Sequence, residues 1–445
     1  MAKNRILILL LLLFSFCLVL VACGEEEPTL SLPTTTAGGS SIAVSSDSTT
    51  TTELVTTTTA PITTEDMFKT GTPGLVYESG GDGTAKVVGI SDKSATSIRI
   101  PHTSPDGDRV IEIAYGAFAQ NTVLETLLLP HTVYKISSAA FFGCTSLTSV
   151  VFSEGLETIE ITAFQNCTAL ESLNLPSSLK ELGQMAFAGC TSLRYLTVGE
   201  KNTNYTAEGN CLLLKNERRV VLGCVGSKLP KDTAVIGDFA FYGMGLEAML
   251  MPDSVKVVGN QAFAENPALS ALSLSEGLVE LGSAAFYNCT ALKEVYLPAS
   301  LTTIGETPFR ACGGITRLTV SADNPAYYAK DLCLVKKDGA LLVQGFVGAV
   351  IPKEVRVIGD SAFSFLPISE IVIPEGVEKI GTKAFAYCNG LKSVTLPESL
   401  TEVLPTAFLN AKGIETIDFG GTRHAFDILT AAVDFPESAV ITCKK

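Results

Sequence analysis

The apolar residues of this chain recur at a long, fixed interval. Eleven Phe residues, ten of them preceded by Ala, stand 22 or 23 residues apart within three runs: Phe118, Phe141, Phe164 and Phe187; Phe241, Phe263, Phe286 and Phe309; and Phe363, Phe385 and Phe408. A fixed period of this size is typical of a solenoid, in which each repeat buries its apolar side only against its neighbours. The pattern predicts one elongated domain with an inward ladder of Phe rings. We therefore expect its function to lie on exposed surfaces.

Each repeat follows one template, which is clearest after Ala163-Phe164. The L-x-x-L-x-L spacing from Leu170 to Leu175 is typical of the strand of a leucine-rich repeat. Alternation along the strand turns these leucines inward and Asn174 outward. Pro176 ends the strand because it has no N–H to donate, and a second extended segment, Leu179 to Leu182, leads to the next Ala-Phe. The template predicts a β-rich leucine-rich-repeat solenoid, a curved stack of ~23-residue repeats.

Two longer intervals interrupt this stack. Phe187 to Phe241 and Phe309 to Phe363 each span 54 residues, and the second interruption follows the first by 122 residues. Six residues recur at that offset: Asn202, Tyr205, Cys211, Gly223, Gly226 and Pro230 return as Asn324, Tyr327, Cys333, Gly345, Gly348 and Pro352. Asp338-Gly339 lies between two apolar segments, which predicts a β-hairpin. We interpret the interruptions, near 199–232 and 321–354, as hairpin inserts in a duplicated cassette of four repeats.

We expect a cap at each end of the repeat array, which spans residues 117–419. In residues 71–116, the extended segments 75–77 and 85–88 flank a Gly-rich turn, which predicts a capping hairpin followed by a first turn. In residues 420–445, we predict a short helix at about 424–432 and a closing extended segment. Caps are needed because a terminal repeat would otherwise expose the edge of the core.

The first 22 residues have the composition of an export signal. Lys3 and Arg5 precede an apolar run from Ile6 to Val21, which is short beside the ~20 residues of a membrane-spanning helix. Leu20-Val21-Ala22-Cys23 is similar to a bacterial lipobox, in which the Cys is diacylated and begins the mature protein. We predict a lipoprotein signal peptide over 1–22 and a lipid anchor on Cys23, which would hold the protein at the extracellular face of a bacterial membrane. An ordinary cleaved signal and an uncleaved anchor are the alternatives.

Residues 23–70 differ sharply from the rest of the chain. Ser and Thr dominate, with Thr runs at 49–52 and 56–59 and three Pro residues nearby. A segment with so few apolar residues cannot bury enough surface to fold. We predict a disordered tether between the lipid anchor and the repeats, and leave open whether its Thr residues are glycosylated.

The repeats resemble those of the BspA-like surface leucine-rich-repeat family, also described as the Treponema pallidum type. The resemblance covers about residues 75–445 and rests on the Phe-centred repeats, the Cys-Thr-x-Leu turn, the Leu-Pro strand end and the Asn-x-x-Tyr segments at Asn202 and Asn324. It implies a curved solenoid on a bacterial surface, with members linked to adhesion or protein binding, and no catalytic residues. Trp, often present in the family's closing segment, is absent from this chain. We expect Phe426 in its packing role.

Charge and residue types narrow the function further. With 46 acidic and 32 basic residues the net charge is -14, and an acidic surface repels the phosphate backbone of nucleic acids. His102, His131 and His424 lie in three distant segments, so we expect no catalytic triad and no histidine-based metal site. The chain contains no serine-nucleophile, phosphate-loop or zinc-helix motif. We therefore predict a protein that is not an enzyme and needs no cofactor or metal.

Six cysteines share one template position: Cys144, Cys167, Cys190, Cys289, Cys312 and Cys388. Other repeats have Asn, Met, Leu or Ala there, a mixture that suits a half-buried turn better than a metal or redox site. Stacked strands lie ~4.8 Å apart, which also leaves neighbouring thiols within reach of a disulfide. We favour buried free thiols over disulfides and over a metal site. Cys211 and Cys224 are a further pair that could form a disulfide within the first insert.

The outward positions of the L-x-x-L-x-L strands form the candidate binding surface. They include Arg194, Tyr195, Lys293, Glu294, Tyr296 and Arg317. Aromatic and Arg side chains are frequent anchors of interfaces, and Tyr205, Tyr327 and Tyr328 in the inserts are the competing candidates. We expect these residues to contact a protein or glycan on a host or neighbouring cell, as in adhesion. Most other outward positions are Ser, Thr or Ala, which leaves a structural envelope spacer without a specific ligand as the alternative.

Overall fold

The computed structural model describes residues 67–433 and 435–444. The predicted signal peptide, Cys23 and the predicted tether up to residue 66 lie outside the described residues. Within them, short strands and turns alternate and stack into the predicted leucine-rich-repeat solenoid. Over this part of the chain, no helix has the length and apolar character needed to cross a membrane.

Most repeats contribute two strands, one on each side of the core. We call those with the L-x-x-L-x-L motif leucine strands, and those that follow them step strands. The leucine strands are β3 (Ser97–Arg99), β5 (Thr126–Leu128), β7 (Ser149–Val151), β9 (Ser172–Leu175), β11 (Tyr195–Val198), β16 (Ala248–Leu250), β18 (Ala271–Ser273), β20 (Glu294–Leu297), β22 (Arg317–Val320), β27 (Glu370–Val372), β29 (Ser393–Leu396) and β31 (Thr416–Thr422). The step strands are β4 (Arg109–Ile113), β6 (Lys135–Ile136), β8 (Thr158–Ile159), β10 (Glu181–Leu182), β15 (Val235–Ile236), β17 (Val257–Val258), β19 (Glu280–Leu281), β21 (Thr303–Ile304), β26 (Val357–Ile358), β28 (Lys379–Ile380) and β30 (Glu402–Val403).

Three step sheets follow one another along the solenoid, and each begins with antiparallel strands. Those strands are β1 (Leu75–Ser79) and β2 (Thr84–Ile90); β12 (Tyr205–Glu208), β13 (Cys211–Leu214) and β14 (Arg219–Gly223); and β23 (Tyr327–Lys330), β24 (Cys333–Lys336) and β25 (Leu341–Gly345). The sheet orders are β1-β2-β4-β6-β8-β10, β12-β13-β14-β15-β17-β19-β21 and β23-β24-β25-β26-β28-β30. The predicted Asp-Gly hairpin joins β24 to β25 through a 3₁₀ turn at Asp338–Ala340, where Gly339 has a φ of 74°. Each insert therefore ends one step sheet and starts the next.

The Phe ladder lies at the centre of the stack, as the repeat period predicts. All eleven rings are fully buried. Within each run, neighbouring rings stack nearly parallel, with centroids 5.1 Å apart for Phe118 and Phe141 and 5.3 Å apart for Phe286 and Phe309. The backbone follows the same ladder, since the N–H of Phe118 donates to the carbonyl of Ala140, 2.8 Å away. Ring packing and main-chain hydrogen bonds thus set the rise from one repeat to the next.

A glycine from each insert makes room for the first ring that follows it. A Cβ on Gly223 would lie 1.8 Å from Cε1 of Phe241, and a Cβ on Gly345 would lie 2.1 Å from the same atom of Phe363. Real Cβ atoms essentially never approach so closely, and both neighbours are buried rings rather than flexible side-chain ends. The recurrence of glycine at this position is therefore a packing requirement.

The C-terminal part closes the stack with a strand and a helix. β32 (Val440–Lys444) pairs in parallel with β31, and α1 (Arg423–Leu429) connects them, shorter than the predicted helix. The Thr422 side chain caps this helix by accepting from the N–H of Ala425. Phe426 is buried beside Phe419, with centroids 5.7 Å apart, so it packs in the cap as we expected.

The packed region begins earlier than the predicted boundary at residue 71. Phe68 is buried, its carbonyl accepts from the N–H of His102, and its ring lies 5.6 Å from the His102 ring. Thr72 then pairs with the outer edge of β3 by donating its N–H to the carbonyl of Arg99. The last residues assigned to the tether are therefore part of the cap, because the Phe68 side chain packs against His102.

Candidate binding surface

The first group of candidate residues lies on the exposed side of β9 and β11. These strands pair in register, which sets Tyr195 beside Ser172 and Thr197 beside Asn174. Tyr195 is 67% exposed and Arg194 next to it is also exposed. The Thr197 hydroxyl donates to Oδ1 of Asn174 at 3.0 Å. The ladder therefore holds the Tyr195 ring above small polar neighbours, where a partner can reach it.

The second group lies on β20 and β22. Glu294 stands directly opposite Arg317, and the two form an ion pair with an N–O distance of 3.5 Å. Both side chains are well exposed, and such surface pairs contribute little stability. Tyr296, beside Thr319, is 44% exposed, and Lys293 is exposed at the start of the strand. This group combines one open ring with charges of both signs.

The two groups are separate patches rather than one site. The first precedes the first insert along the stack, and the second lies on the third and fourth leucine strands after that insert. Sequence reasoning passed over three large apolar residues at outward positions of the leucine strands, Val151, Leu250 and Val372, which are exposed. The alternation that identified Tyr195 also identifies them, since all three hold the second outward position of their strands.

Tyr205 and Tyr327, which we predicted as partner-binding residues, are buried, at 5% and 4% exposure. The Tyr205 hydroxyl accepts a hydrogen bond from the N–H of Leu182 at 3.1 Å, and the Tyr327 hydroxyl accepts one from Ile304 at 3.2 Å. Leu182 and Ile304 belong to β10 and β21, the last strands of their step sheets. Burial raises the pKa of both hydroxyls. These rings close sheet edges, so the prediction of a binding role for them is wrong.

A buried Asn lies near each of these rings and forms hydrogen bonds to the surrounding backbone. The side-chain NH₂ of Asn202 donates to the carbonyls of Pro176 and Leu179, and its Oδ1 accepts from the N–H groups of Asn204 and Tyr205. Asn324 makes the same four bonds to Pro298, Leu301, Ala326 and Tyr327. We call Asn202 with Tyr205, and Asn324 with Tyr327, the edge latches. The latches use the amide fully, which explains why Asn recurs at that position.

Tyr328 is the insert tyrosine that remains partly accessible. It lies on β23 beside the latch residue, and its side chain is half-buried. Burial raises the pKa of its hydroxyl, and the carboxylate of Glu354 raises it further. Glu354 in turn pairs with Lys330 at 2.8 Å. Tyr328 therefore sits in a charged surface setting that differs from the two open-ring patches.

The cysteines of the shared template position are buried free thiols, the arrangement we favoured. Cys144 donates to the carbonyl of Phe118 at 3.2 Å and Cys312 to that of Phe286 at 3.0 Å, so each thiol bonds the ladder residue of the preceding repeat. Asn266 has the same role, since its NH₂ donates to the Phe241 carbonyl at 2.8 Å. The Cys residues and Asn266 thus donate to the ladder from this position, whereas Met244, Leu366 and Ala411 fill it without a donor.

Burial keeps three of these thiols, Cys190, Cys289 and Cys388, protonated. It raises the pKa of Cys190, Cys289 and Cys388 to about 12, and the thiolate is the form that binds metals and attacks disulfides. Cys211 and Cys224 are free as well, and Cys224 donates to the carbonyl of Asn210 at 3.4 Å. Within 67–433 and 435–444, no three His, Cys, Asp or Glu side chains are grouped as metal ligands.

His102 and His131 lie side by side, although we expected all three histidines to be far apart. Their ring centroids are 4.8 Å apart and the rings are tilted by 53°. The two residues are separated by about one turn of the solenoid, and a full turn brings its ends into contact. His424 lies on α1. The expectation was wrong because distance along the chain was treated as distance in space.

An open groove of about 580 Å³ lies where the first step sheet meets the first insert. Its lining includes Glu160, Lys180, Glu181 and Tyr205. Glu160 is already paired with Lys135 at 2.9 Å and accepts from the Ser138 hydroxyl. Sequence reasoning did not find this groove because its lining combines residues of neighbouring repeats with Tyr205 of the insert, which no single repeat encodes.

Comparison with known protein families identifies the type of repeat. Residues 108–213, 225–328 and 347–427 match the family model described as the BspA type leucine rich repeat region, in six copies. The chain has no match among curated protein sequences.

Solved structures with similar folds come from several bacteria. A leucine rich cell surface protein from Faecalibacterium prausnitzii is 22% identical, with 84% of this chain and 94% of that one covered and a TM-score of 0.40. A leucine-rich repeat protein from Bacteroides ovatus is 19% identical, with 84% and 98% covered and a TM-score of 0.38. The leucine rich repeat protein of T. pallidum is 22% identical, with 56% and 90% covered and a TM-score of 0.30. Likenesses this distant carry no argument about ligands.

Proposed function

Because the chain belongs to the BspA type leucine rich repeat family, we propose that it is a lipid-anchored protein of the bacterial surface whose leucine strands bind a protein or glycan on a host or neighbouring cell. The observation that carries the binding role is Tyr195, an aromatic ring 67% exposed on β11, which pairs with β9 over four residues, beside the exposed Arg194. Tyr and Arg side chains dominate the energetics of many interfaces.

The ladder favours binding because it is already ordered. Association loses free energy when loops and side chains must be immobilised, and a preorganised surface reduces that loss. Tyr195 and Tyr296 project from strands that pair along four consecutive residues with their neighbours. A partner that covers either ring therefore gains apolar contact at a low entropic cost.

The anchor rests on the residues around Cys23. Leu20-Val21-Ala22-Cys23 is similar to a lipobox, and two acyl chains hold a protein on a membrane where one chain is marginal. The Faecalibacterium protein is described as a cell surface protein, and we propose the same location here. A Cys23→Ala variant should leave the membrane fraction in a cell fractionation. Retention of that variant with the membrane would contradict lipid anchoring.

The binding role is tested by adhesion of cells that display the chain. Removal of residues 74–445 with the anchor kept should abolish adhesion to the target cell, and Tyr195→Ser should reduce it. Ser149→Ala, an exposed outward position without an aromatic ring, is the matched control and should leave adhesion unchanged. Adhesion that persists after removal of 74–445 would refute the role.

The second candidate function is a structural spacer of the envelope. It is favoured by the many small outward residues of the leucine strands, including Ser149, Ser172, Thr319 and Thr395. A spacer needs a stiff, solvated stack and no ligand. Glycan and protein arrays without a single binding partner, together with altered envelope permeability after deletion of the gene, would support it over adhesion.

A further inference from the structure

Four side chains stack on the outside of the solenoid, in the turns that follow the Phe ladder. The guanidinium of Arg310 lies 4.9 Å from the ring centroid of Tyr287 and 5.8 Å from that of Phe365. Phe365 stacks on Tyr387 with a centroid distance of 4.6 Å and an angle of 11° between the rings. We call these four residues the arginine–aromatic cluster. It joins repeats on both sides of the second insert.

Two of its rings occupy a strained backbone position. The second residue after each ladder Phe has a positive φ, and nine of the eleven repeats place Gly, Asn, Gln, Glu or Ala there: Gln120, Gly143, Asn166, Gly189, Gly243, Glu265, Asn288, Ala311 and Asn410. In the remaining two, Phe365 has a φ of 63° and Tyr387 a φ of 58°. A positive φ is unfavourable for residues with bulky side chains. Strain of this kind is concentrated at functional sites.

Within the described residues, no carboxylate forms an ion pair with the cation of the cluster. Among the ion pairs of the described residues, none involves Arg310, and its Nε is buried without a hydrogen-bond partner. The nearby Glu306 and Glu265 instead accept from Ser361 at 3.0 Å and from Asn288 at 2.8 Å. Burial of a polar group without a partner is unfavourable. An incoming carboxylate on the guanidinium would supply the missing negative charge.

A purely structural role, in which the cluster only joins the repeats on either side of the second insert, explains part of this arrangement. The Phe ladder is interrupted at the second insert, where Phe309 meets Phe346 at 6.4 Å and 55° instead of a parallel ring, and the outer stack bridges the same gap. Apolar side chains alone would be enough to join the repeats. A structural role does not require an unpaired guanidinium, and it leaves Phe365 40% exposed.

We propose that the arginine–aromatic cluster binds an acidic glycan, with the carboxylate of a sugar acid on Arg310 and the apolar face of the sugar ring against the exposed part of Phe365. A sugar fits better than a peptide because the main chain here is already used. The N–H groups of Phe365 and Tyr387 donate to the carbonyls of Ala386 and Leu409 at 2.9 Å and 2.8 Å. The site is distinct from the leucine-strand face. The glycan proposal is therefore tested separately from the adhesion role proposed for that face.

The test measures binding of a galactose oligomer that carries a single galacturonate to the purified full chain by calorimetry, with the neutral galactose oligomer as the ligand control. Arg310→Gln and Phe365→Asn should each weaken binding of the acidic oligomer by at least ~10-fold, and added salt should weaken it in the unmodified chain. Tyr195→Ser, on the leucine-strand face, should leave this binding unchanged.

Phe365→Asn separates binding from folding, because Asn is the residue that three other repeats hold at this position of positive φ. Its melting temperature should therefore equal or exceed that of the unmodified chain while binding is lost. The proposal is overturned if neither acidic nor neutral oligomers bind, if binding survives Arg310→Gln, or if an oligomer of Asp and Glu binds with the same dependence on Arg310 and Phe365. The last result would assign the site to peptides.

Discussion

The first insert, 199–232, and the second insert, 321–354, close the preceding sheet with the same side chains and fill the core behind it with different ones. Asn202 with Tyr205 and Asn324 with Tyr327 make the same hydrogen bonds to the sheet edge. Behind the latch, Leu222 of the first insert corresponds to Gln344 of the second, and Cys224 corresponds to Phe346.

These differences change how each insert meets the last ring before it. Gln344 is buried, and its Oε1 accepts from the N–H of Phe309 at 3.0 Å. Leu222 cannot offer an acceptor to Phe187, the corresponding ring. Phe346 packs against Phe309, whereas Cys224 bonds within its own insert. Both inserts therefore close the sheet edge with the same side chains, whereas each packs differently against the last ladder ring before it.

The largest effect is expected from the first ring after each insert. Phe241→Ala and Phe363→Ala each remove a fully buried ring packed on an insert glycine, and each should lower the free energy of unfolding by ~3 to 5 kcal/mol. Urea unfolding followed by circular dichroism measures the loss. Phe365→Ala, an exposed neighbour, is the control. A loss below ~1 kcal/mol at one insert and not the other would break the comparison.

The next effect concerns the latches. Asn202→Ala and Asn324→Ala leave buried carbonyl and N–H groups without partners, so each should cost about 3 kcal/mol. Asn204→Ala is the matched control, because the second insert already has Ala326 at that position, and it should cost less than about 1 kcal/mol. Equal losses for Asn202→Ala and Asn204→Ala in urea unfolding would mean that the amide network is not what closes the edge.

The exchange of Leu222 and Gln344 tests the difference itself. Gln344→Leu removes the acceptor for the N–H of Phe309 and should cost about 1 to 2 kcal/mol. Leu222→Gln introduces a polar amide into an apolar site and should also destabilise, unless its oxygen reaches the N–H of Phe187. Thermal and urea unfolding of both variants give the values. A neutral Gln344→Leu would show that the hydrogen bond to Phe309 adds nothing.

The smallest effect is electrostatic. Arg218 lies between Glu208 and Asp232 in the first insert, and its hydrogen bonds lower the pKa of both carboxyls; Lys330 lowers the pKa of Glu354 in the second insert. Since the folded pKa values lie below the unfolded ones, this stabilisation is present at pH 7 and is lost as the pH falls through the lowered values, below about 4. Arg218→Gln should therefore reduce the difference in urea midpoint between pH 7 and about pH 3 more than Lys330→Gln does. An equal pH dependence before and after Arg218→Gln would contradict this.

Periodicity predicted the repeat fold because every repeat solves the same packing problem. The Phe ladder, the inward leucines and the buried thiols all follow from positions that recur every turn. The arginine–aromatic cluster escaped notice although Phe365 and Tyr387 are one turn apart and therefore adjacent. A search for side chains one period apart would have found that pair, whereas His102 and His131 are 29 residues apart and fall outside the 22- or 23-residue period.

The role of Tyr205 and Tyr327 could not be predicted from the inserts alone. Their hydroxyls bond Leu182 and Ile304, 23 residues earlier, and the need for that bond arises only because a step sheet ends there. An aromatic residue in an insert looks like a binding residue until the sheet edge is seen. The exposed state of Tyr195 was predictable, since strict alternation places it opposite the buried leucines.

The most direct test of this account compares adhesion of cells displaying Tyr195→Ser with that of cells displaying Tyr205→Phe. We predict that Tyr195→Ser reduces adhesion with an unchanged melting temperature. Tyr205→Phe, which loses only the hydroxyl that caps β10, should lower the melting temperature and keep adhesion. Loss of adhesion in Tyr205→Phe, with full adhesion in Tyr195→Ser, would contradict the assignment of binding to the leucine strands and of edge closure to the latches.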